Sequence, residues 1–179
     1  VLSNSRFLGD ALNKSVESVT WLGSDNDLQP RSRESLDVQT HASLERNVGS
    51  INDFANSIRA MRRHEIERIG LGWMSGVIDD KASLAGMTDV YDTAIDASLT
   101  WAIRHQTQEM GLDEAPAAIA VIGMGRYGGR EVNFSSDADV IIIYRPSDNA
   151  DDNQANLFAR KVQEDLRAIL QGPTTLCLL

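Results

Sequence analysis

Apolar residues along the first two thirds of this chain return every three or four positions. In the last third that rhythm breaks twice into short, solid apolar runs. Leu8, Leu12, Val16 and Val19 fall on one face of a helix. The helix is expected to stop near Leu22 and Gly23, where glycine takes a left-handed cap. A polar, turn-rich stretch around Pro30 comes next, and a second helix is predicted over 33–46. The third and longest, 51–79, keeps its period through Ile51, Phe54, Ile58, Met61, Ile66, Ile69 and Trp73. A fourth, 80–110, repeats it with Leu84, Met87, Tyr91, Ile95, Leu99 and Ile103. Amphipathic helices of this length with short joints predict an antiparallel bundle.

After Gly111 the pattern changes. The run AAIAVI, 117–122, is short and partly β-branched and reads as a buried strand. A glycine-rich, small-polar segment, GMGRYGGREVNFSSD, separates it from ADVIIIY, a second buried strand ending at Arg145 and Pro146. Helical spacing resumes over 156–170 through Leu157, Phe158, Val162, Leu166 and Leu170. The expected class is α+β, with a helical region over 1–112 and an α/β segment over 113–179. Trp21, Trp73 and Trp101 are assigned to the core. His41, His64 and His105 have no metal-ligand spacing and read as surface or hydrogen-bonded side chains.

The chemistry concentrates between the two strands. Asp137 and Asp139 stand two residues apart at the mouth of the second strand, where alternation turns both carboxylates to one side. Two like charges so close repel unless a cation lies between them, and their hard oxygens suit Mg²⁺ or Mn²⁺. The plainer reading is a turn cap before the strand. Gly128 and Gly129, just upstream, let backbone come close to a ligand with no Cβ in the way. Arg126, Ser135 and Ser136 are candidate phosphate donors. A phosphate cradle and a metal clamp a short loop apart make a layout for metal-assisted nucleotidyl transfer.

Gly123, Gly125 and Gly128 also match the dinucleotide-binding GxGxxG formally. The context fails, because a new strand arrives where a long helix and a lone acid should follow. A dinucleotide-dependent oxidoreductase is therefore the enzyme rival.

Charge and composition narrow the field. Lys and Arg number 17 against 26 Asp and Glu, a formal net charge of −9. That balance argues against a general nucleic-acid binder. No apolar stretch approaches a membrane span, and a single cysteine, Cys177, rules out an internal disulfide framework. A reducing, cytoplasmic setting is expected. A basic run, Arg59, Arg62, Arg63, His64 and Arg68, sits on the third helix. It reads either as a solvated face paired with Glu65 and Glu67 or as a docking surface for an anionic partner, which would make the chain a docking module.

The stretch Gly125-Arg-Tyr-Gly-Gly-Arg-Glu-Val-Asn-Phe-Ser-Ser-Asp137-Ala-Asp139-Val resembles the signature of the glutamine synthetase adenylyltransferase family, of the DNA polymerase β-like nucleotidyltransferase superfamily. The helix carrying RAMRRHEIERIGLGW is similar to an arginine-rich helix that precedes the core in that family. The resemblance implies an α+β chain in which a helical bundle leads into a partial nucleotidyltransferase core with a mixed sheet and flanking helices. It implies transfer of AMP from ATP to a tyrosine of glutamine synthetase, by in-line attack on the α-phosphorus with two metal ions, or the reverse phosphorolytic removal. Asp137 and Asp139 match the metal-binding, catalytic aspartates. Gly128 and Gly129 match the glycines along the nucleotide phosphates, with Arg126 and Ser136 as further nucleotide contacts. The form Gly-Arg-Tyr-Gly-Gly resembles the adenylylating half, while Asn133 resembles the deadenylylating half. Mg²⁺ or Mn²⁺ is the implied cofactor, glutamine synthetase the protein partner and the PII signalling protein a candidate regulator. The family's third carboxylate has no counterpart on a strand here. It is expected beyond Leu179, with both ends cut from something longer and weak turnover by the isolated chain.

Overall fold

Three helices begin on the same local device. Ser32, Ser50 and Asp79 sit in extended conformation, and their side-chain oxygens accept the amides of Ser35, Asp53 and Ala82. They open α1 (Arg33–Arg46), α2 (Ile51–Ser75) and α3 (Asp80–Glu109). The computed structural model describes residues 16–47, 49–134 and 136–171. The expected first helix is outside these up to residue 15, as are Ser135, Cys177 and the final apolar stretch. From Val16 to Gly23 the chain winds as a 3-10 helix rather than an α-helix, and a shorter 3-10 turn spans Asp25–Leu28.

The third helix stops four residues earlier than its apolar period. Gly76 takes φ 77°, in the left-handed region, and its amide returns to Gly72 and Trp73. The Val77 amide also donates to the Gly72 carbonyl at 2.9 Å. This is a glycine-closed helix end, and Asp79 then caps the next helix almost at once.

After α3 come β1 (Ala117–Gly123), one helical turn (Gly125–Gly128), β2 (Val140–Pro146) and α4 (Asp152–Gln171). Helix α3 is the hub, packing against α1, α2 and α4, while α4 also packs on α2 and on both strands. Phe54 of α2 and Trp101 of α3 stack with ring centres 5.6 Å apart, and the Trp101 indole N–H donates to the Asn47 carbonyl at 2.9 Å. Because α3 is covered on several sides, its buried set is wider than one apolar stripe. Gly86, Val90, Ala94, Ala97 and Ser98 are buried beside Met87 and Ile95.

Two expectations about burial are corrected. Trp101 is core, but Trp73 is 43% exposed, its N–H bonded to Asp80 Oδ1 at 2.6 Å. The two strands are not buried on both faces. They pair antiparallel from Ala117 opposite Pro146 to Gly123 opposite Val140. One face, with Ala117, Ile119 and Val121, packs on the helices. The other carries Ala118, Ala120, Ile122, Ile141 and Ile143, all exposed. No second layer covers that face among the described residues, and an antiparallel pair stands where a mixed sheet was expected. Among the described residues no helix is long and apolar enough to cross a membrane.

Candidate functional site

The glycine-rich segment closes a tight loop on the end of β1. Leaving the strand at Gly123, the chain makes one helical turn, bonding the Gly128 amide to Met124 O at 2.8 Å and Gly129 to Gly125 O at 3.0 Å. The Glu131 amide then reaches back to Arg126 O at 2.7 Å. The two glycines assigned to phosphate approach therefore spend their own N–H groups inside the turn. Gly128 is fixed by packing as well. A Cβ there would collide with the carbonyl of Gly123, lying 2.9 Å from its carbon. Gly129 is different: it is exposed, its φ and ψ are −80° and −1°, and a Cβ would meet nothing nearer than 3.4 Å.

The loop beyond the turn is anchored in the helical core. Val132 is fully buried and joins the same apolar cluster as Phe54 and Met87, with Phe134 against it. The Phe134 ring faces Trp73 at 5.8 Å. Ser136 is buried and locally engaged: its hydroxyl donates to Asn133 Oδ1 at 2.9 Å and accepts the Asn133 amide at 3.1 Å. These bonds shape the loop that delivers Asp137.

Asp137 and Asp139 are both exposed and lie just before β2, whose ladder begins at Val140. Strand alternation therefore does not govern them; the loop does. It brings Asp139 back onto the glycine turn. The Met124 amide donates to the Asp139 carbonyl at 2.8 Å, and Asp139 Oδ2 lies 3.5 Å from where a Cβ on Gly125 would sit. Asp137 is near enough to Tyr91 to help burial push that phenol up. Neither carboxylate has a hydrogen bond or ion pair to another described residue. Two hard oxygen donors with no protein cation committed to them fit Mg²⁺ or Mn²⁺ in donor chemistry. Among the described residues no third His, Cys, Asp or Glu completes a ligand set. Arg126 is exposed, and its guanidinium has no partner among the described residues.

The basic run on α2 divides: Arg68 pairs with Glu65 as expected, while Arg59 and Arg62 are engaged elsewhere. Arg59 Nε donates to the Ile169 carbonyl at 2.8 Å and its Nη2 to Ala168, while Arg62 reaches Leu170 O at 3.3 Å. Two guanidinium groups thus close the carbonyl end of α4, where partial negative charge accumulates. Burial pushes the Arg62 guanidinium down. Arg68 donates to the Asp27 carbonyl, pairs with Glu65 at 3.3 Å and lies over the Trp21 ring at 4.2 Å. His105 does have a partner, Asp165 Oδ2 at 2.8 Å from Nδ1.

Sequence reasoning missed Tyr127, Arg130 and Asp92. Tyr127 is buried and donates to Asp92 Oδ1 at 2.7 Å. Arg130 takes Asp89 at 2.6 Å and Asp92 at 3.3 Å. The only signal for them was an aromatic and an arginine inside a glycine-rich loop; their partners lie 35 to 41 positions upstream. The chain also has none of the long helix that a dinucleotide fold requires after its third glycine, only one turn ending at Gly128.

Comparison with known proteins agrees with the motif. A family model for glutamate-ammonia ligase adenylyltransferase matches residues 1–179. The chain is 74% identical over 176 residues to the bifunctional glutamine synthetase adenylyltransferase/adenylyl-removing enzyme of Bifidobacterium longum (strain DJO10A). That match covers 98% of this chain and 16% of the relative. The enzyme of the same name from Leifsonia xyli subsp. xyli is 36% identical over 171 residues, 96% of this chain and 16% of the relative. That of Mycobacterium tuberculosis (strain CDC 1551 / Oshkosh) is 38% identical over 116 residues, 65% of this chain and 12% of the relative. The chain thus spans about a sixth of the length of the first two of these curated relatives. With the family model matching from end to end, the chain belongs to the glutamate-ammonia ligase adenylyltransferase family.

Proposed function

We propose that this chain supplies the nucleotide- and metal-handling part of a nucleotidyl-transfer site that moves AMP from ATP to a tyrosine of glutamine synthetase. The observation that carries the reading is the junction of turn and carboxylates. The Asp139 backbone is bonded to Met124, and its carboxylate faces Gly125. In this reading residues 1–112 form the helical region and 113–179 part of the nucleotidyltransferase core.

Asp137 and Asp139 would hold the ion, Mg²⁺ or Mn²⁺. When bound, it supplies charge neutralisation for phosphate oxygens. The chain's own residues do the rest. Arg126, with no described partner, is available to a phosphate. Gly129 gives a bare surface for close approach, beside Gly128. Ser136 and Asn133 hold the loop in the form that presents Asp137. The tyrosine oxygen would bond to the α-phosphorus as the bond to pyrophosphate breaks, with the phenolic proton lost to solvent or base. Addition is the direction proposed, on the form Gly-Arg-Tyr-Gly-Gly with Ser-Asp-Ala-Asp-Val; phosphorolytic removal is the alternative. Glutamine synthetase is the protein substrate and the PII protein a candidate regulator, in the cytoplasm and without nucleic acid or membrane.

The test is calorimetric titration with ATP, with and without Mg²⁺ or Mn²⁺, repeated on Asp139→Ala. Metal-dependent binding that disappears in the variant supports the reading. Undiminished binding by the variant overturns the assignment of Asp139. Thermal protection by NAD with none from Mg-ATP overturns the reaction class.

A further inference from the structure

The glycine turn sends its Tyr127 ring into the buried core, while Met124 and Arg126 stay exposed. Between it and α3 lies a cleft of about 340 Å³, with Thr88, Asp92, Asp96, Tyr127 and Arg130 among its lining. What crosses the cleft is polar. Tyr127 donates to Asp92 Oδ1 at 2.7 Å, and Arg130 spans Asp89 and Asp92 at 2.6 and 3.3 Å. Arg33 also lies 3.6 Å from Asp92 Oδ2, the oxygen that Arg130 takes, and is itself bonded to Asp37.

Arg130 is also the only described non-glycine residue with a positive φ, 58°. A side chain is disfavoured there, so such a residue persists where its surroundings over-determine it. Its amide donates to Tyr127 O at 3.1 Å, which places the chain reversal at the end of the turn.

We infer that Tyr127 and Arg130 are positioning residues, clamping the glycine turn to Asp89 and Asp92 of α3 and so setting where residues 124–129 stand against Asp139. The functional half of this inference rests on the nucleotidyl-transfer reading; the clamp itself does not. Burial and the adjoining Asp92 push the Tyr127 phenol up, so it remains a donor across the physiological range. Arg130 is more than half exposed, and ion pairs in such settings add little to global stability. The clamp therefore acts on local geometry more than on folding.

The test is amide hydrogen exchange on this chain and on Arg130→Gly, Arg130→Lys and Tyr127→Phe. Arg130→Gly removes the guanidinium while relieving the left-handed backbone. It is expected to speed exchange at Gly128, Gly129 and Glu131 by about tenfold or more, with the amides of buried α3 residues unchanged. Tyr127→Phe should act in the same direction, and Arg130→Lys should restore part of the protection. Turn exchange within about twofold of wild type in both Arg130→Gly and Tyr127→Phe would overturn the clamp, since backbone bonds and ring packing would then hold the turn. The same variants are titrated with Mg-ATP. A loosened turn that binds about tenfold more weakly supports the functional half; a loosened turn with unchanged affinity overturns it. A wild-type chain that binds no nucleotide counts against the nucleotidyl-transfer reading, while the exchange result still decides the clamp.

Discussion

Gly128 stands so close to the carbonyl of Gly123 that a Cβ has no room between them. The middle of the glycine motif is thus set by how the turn folds back on the end of β1. Its neighbour Gly129 has ordinary helical dihedrals and open surroundings. The pair separates a structural glycine from one free to serve a ligand. Gly128→Ala is expected to cost about 1–3 kcal/mol by overpacking. Gly129→Ala should hold or raise stability by about 0.4–1 kcal/mol, through the unfolded chain. Denaturant midpoints decide this, and equal losses in both would show that the turn is not as described. If Gly129→Ala folds well but weakens Mg-ATP binding, the loss belongs to the ligand.

Asp137 is exposed and takes no described partner, so Asp137→Asn should leave the thermal midpoint where it is. In a longer polypeptide containing this chain, the same change should lower AMP transfer by about a hundredfold or more, as losing a group that stabilises transition-state charge does. Transfer at near wild-type rate would remove Asp137 from the site.

Glu65 is buried on α2 beside Arg68 and Arg31, at 3.3 and 3.6 Å. Burial pushes its carboxyl up, with the two arginines opposing in part. The folded chain therefore holds this proton more tightly than the unfolded chain, where the group titrates near 4.5. Its contribution is fully present below that value and is lost as pH rises through the higher folded value. Stability of the wild type relative to Glu65→Gln should then fall as pH rises from about 4 to about 7. A difference that does not change with pH would contradict the assignment.

Arg59 caps the end of α4 from α2, so Arg59→Ala should cost about 1–2 kcal/mol, the range for a charge-assisted bond in a partly exposed setting. Hydrogen exchange should show the loss concentrated at the last turn of α4. No local change there would return the basic run to a solvent-facing role.

On the bare face of the sheet, Ile141 and Ile143 are 49% and 47% exposed. Ile141→Lys and Ile143→Lys should each shift stability by less than about 0.5 kcal/mol, as surface changes do. Ile58→Lys on the buried face of α2 should unfold the chain. A large loss from either sheet variant, measured by thermal unfolding, would mean that this face is covered in solution.

Much of this was legible in the sequence. Helices α2 and α3 follow from their apolar periods, a local signal acting within a few residues; the caps at Ser32, Ser50 and Asp79 became visible in the structure. The motif around Asp137 and Asp139 carried the family, because it is dense and its residues are adjacent in the chain. Tertiary structure decided the rest. An apolar run such as VIII cannot say which of its faces is covered, since that depends on elements distant in sequence. Nor can spacing show that Arg59 and Arg62 serve the end of α4, or that Tyr127 and Arg130 bind acids on α3. Those partners are 35 to 110 residues away. Only packing, which brings distant groups within hydrogen-bond range, chooses among the many charges that composition allows.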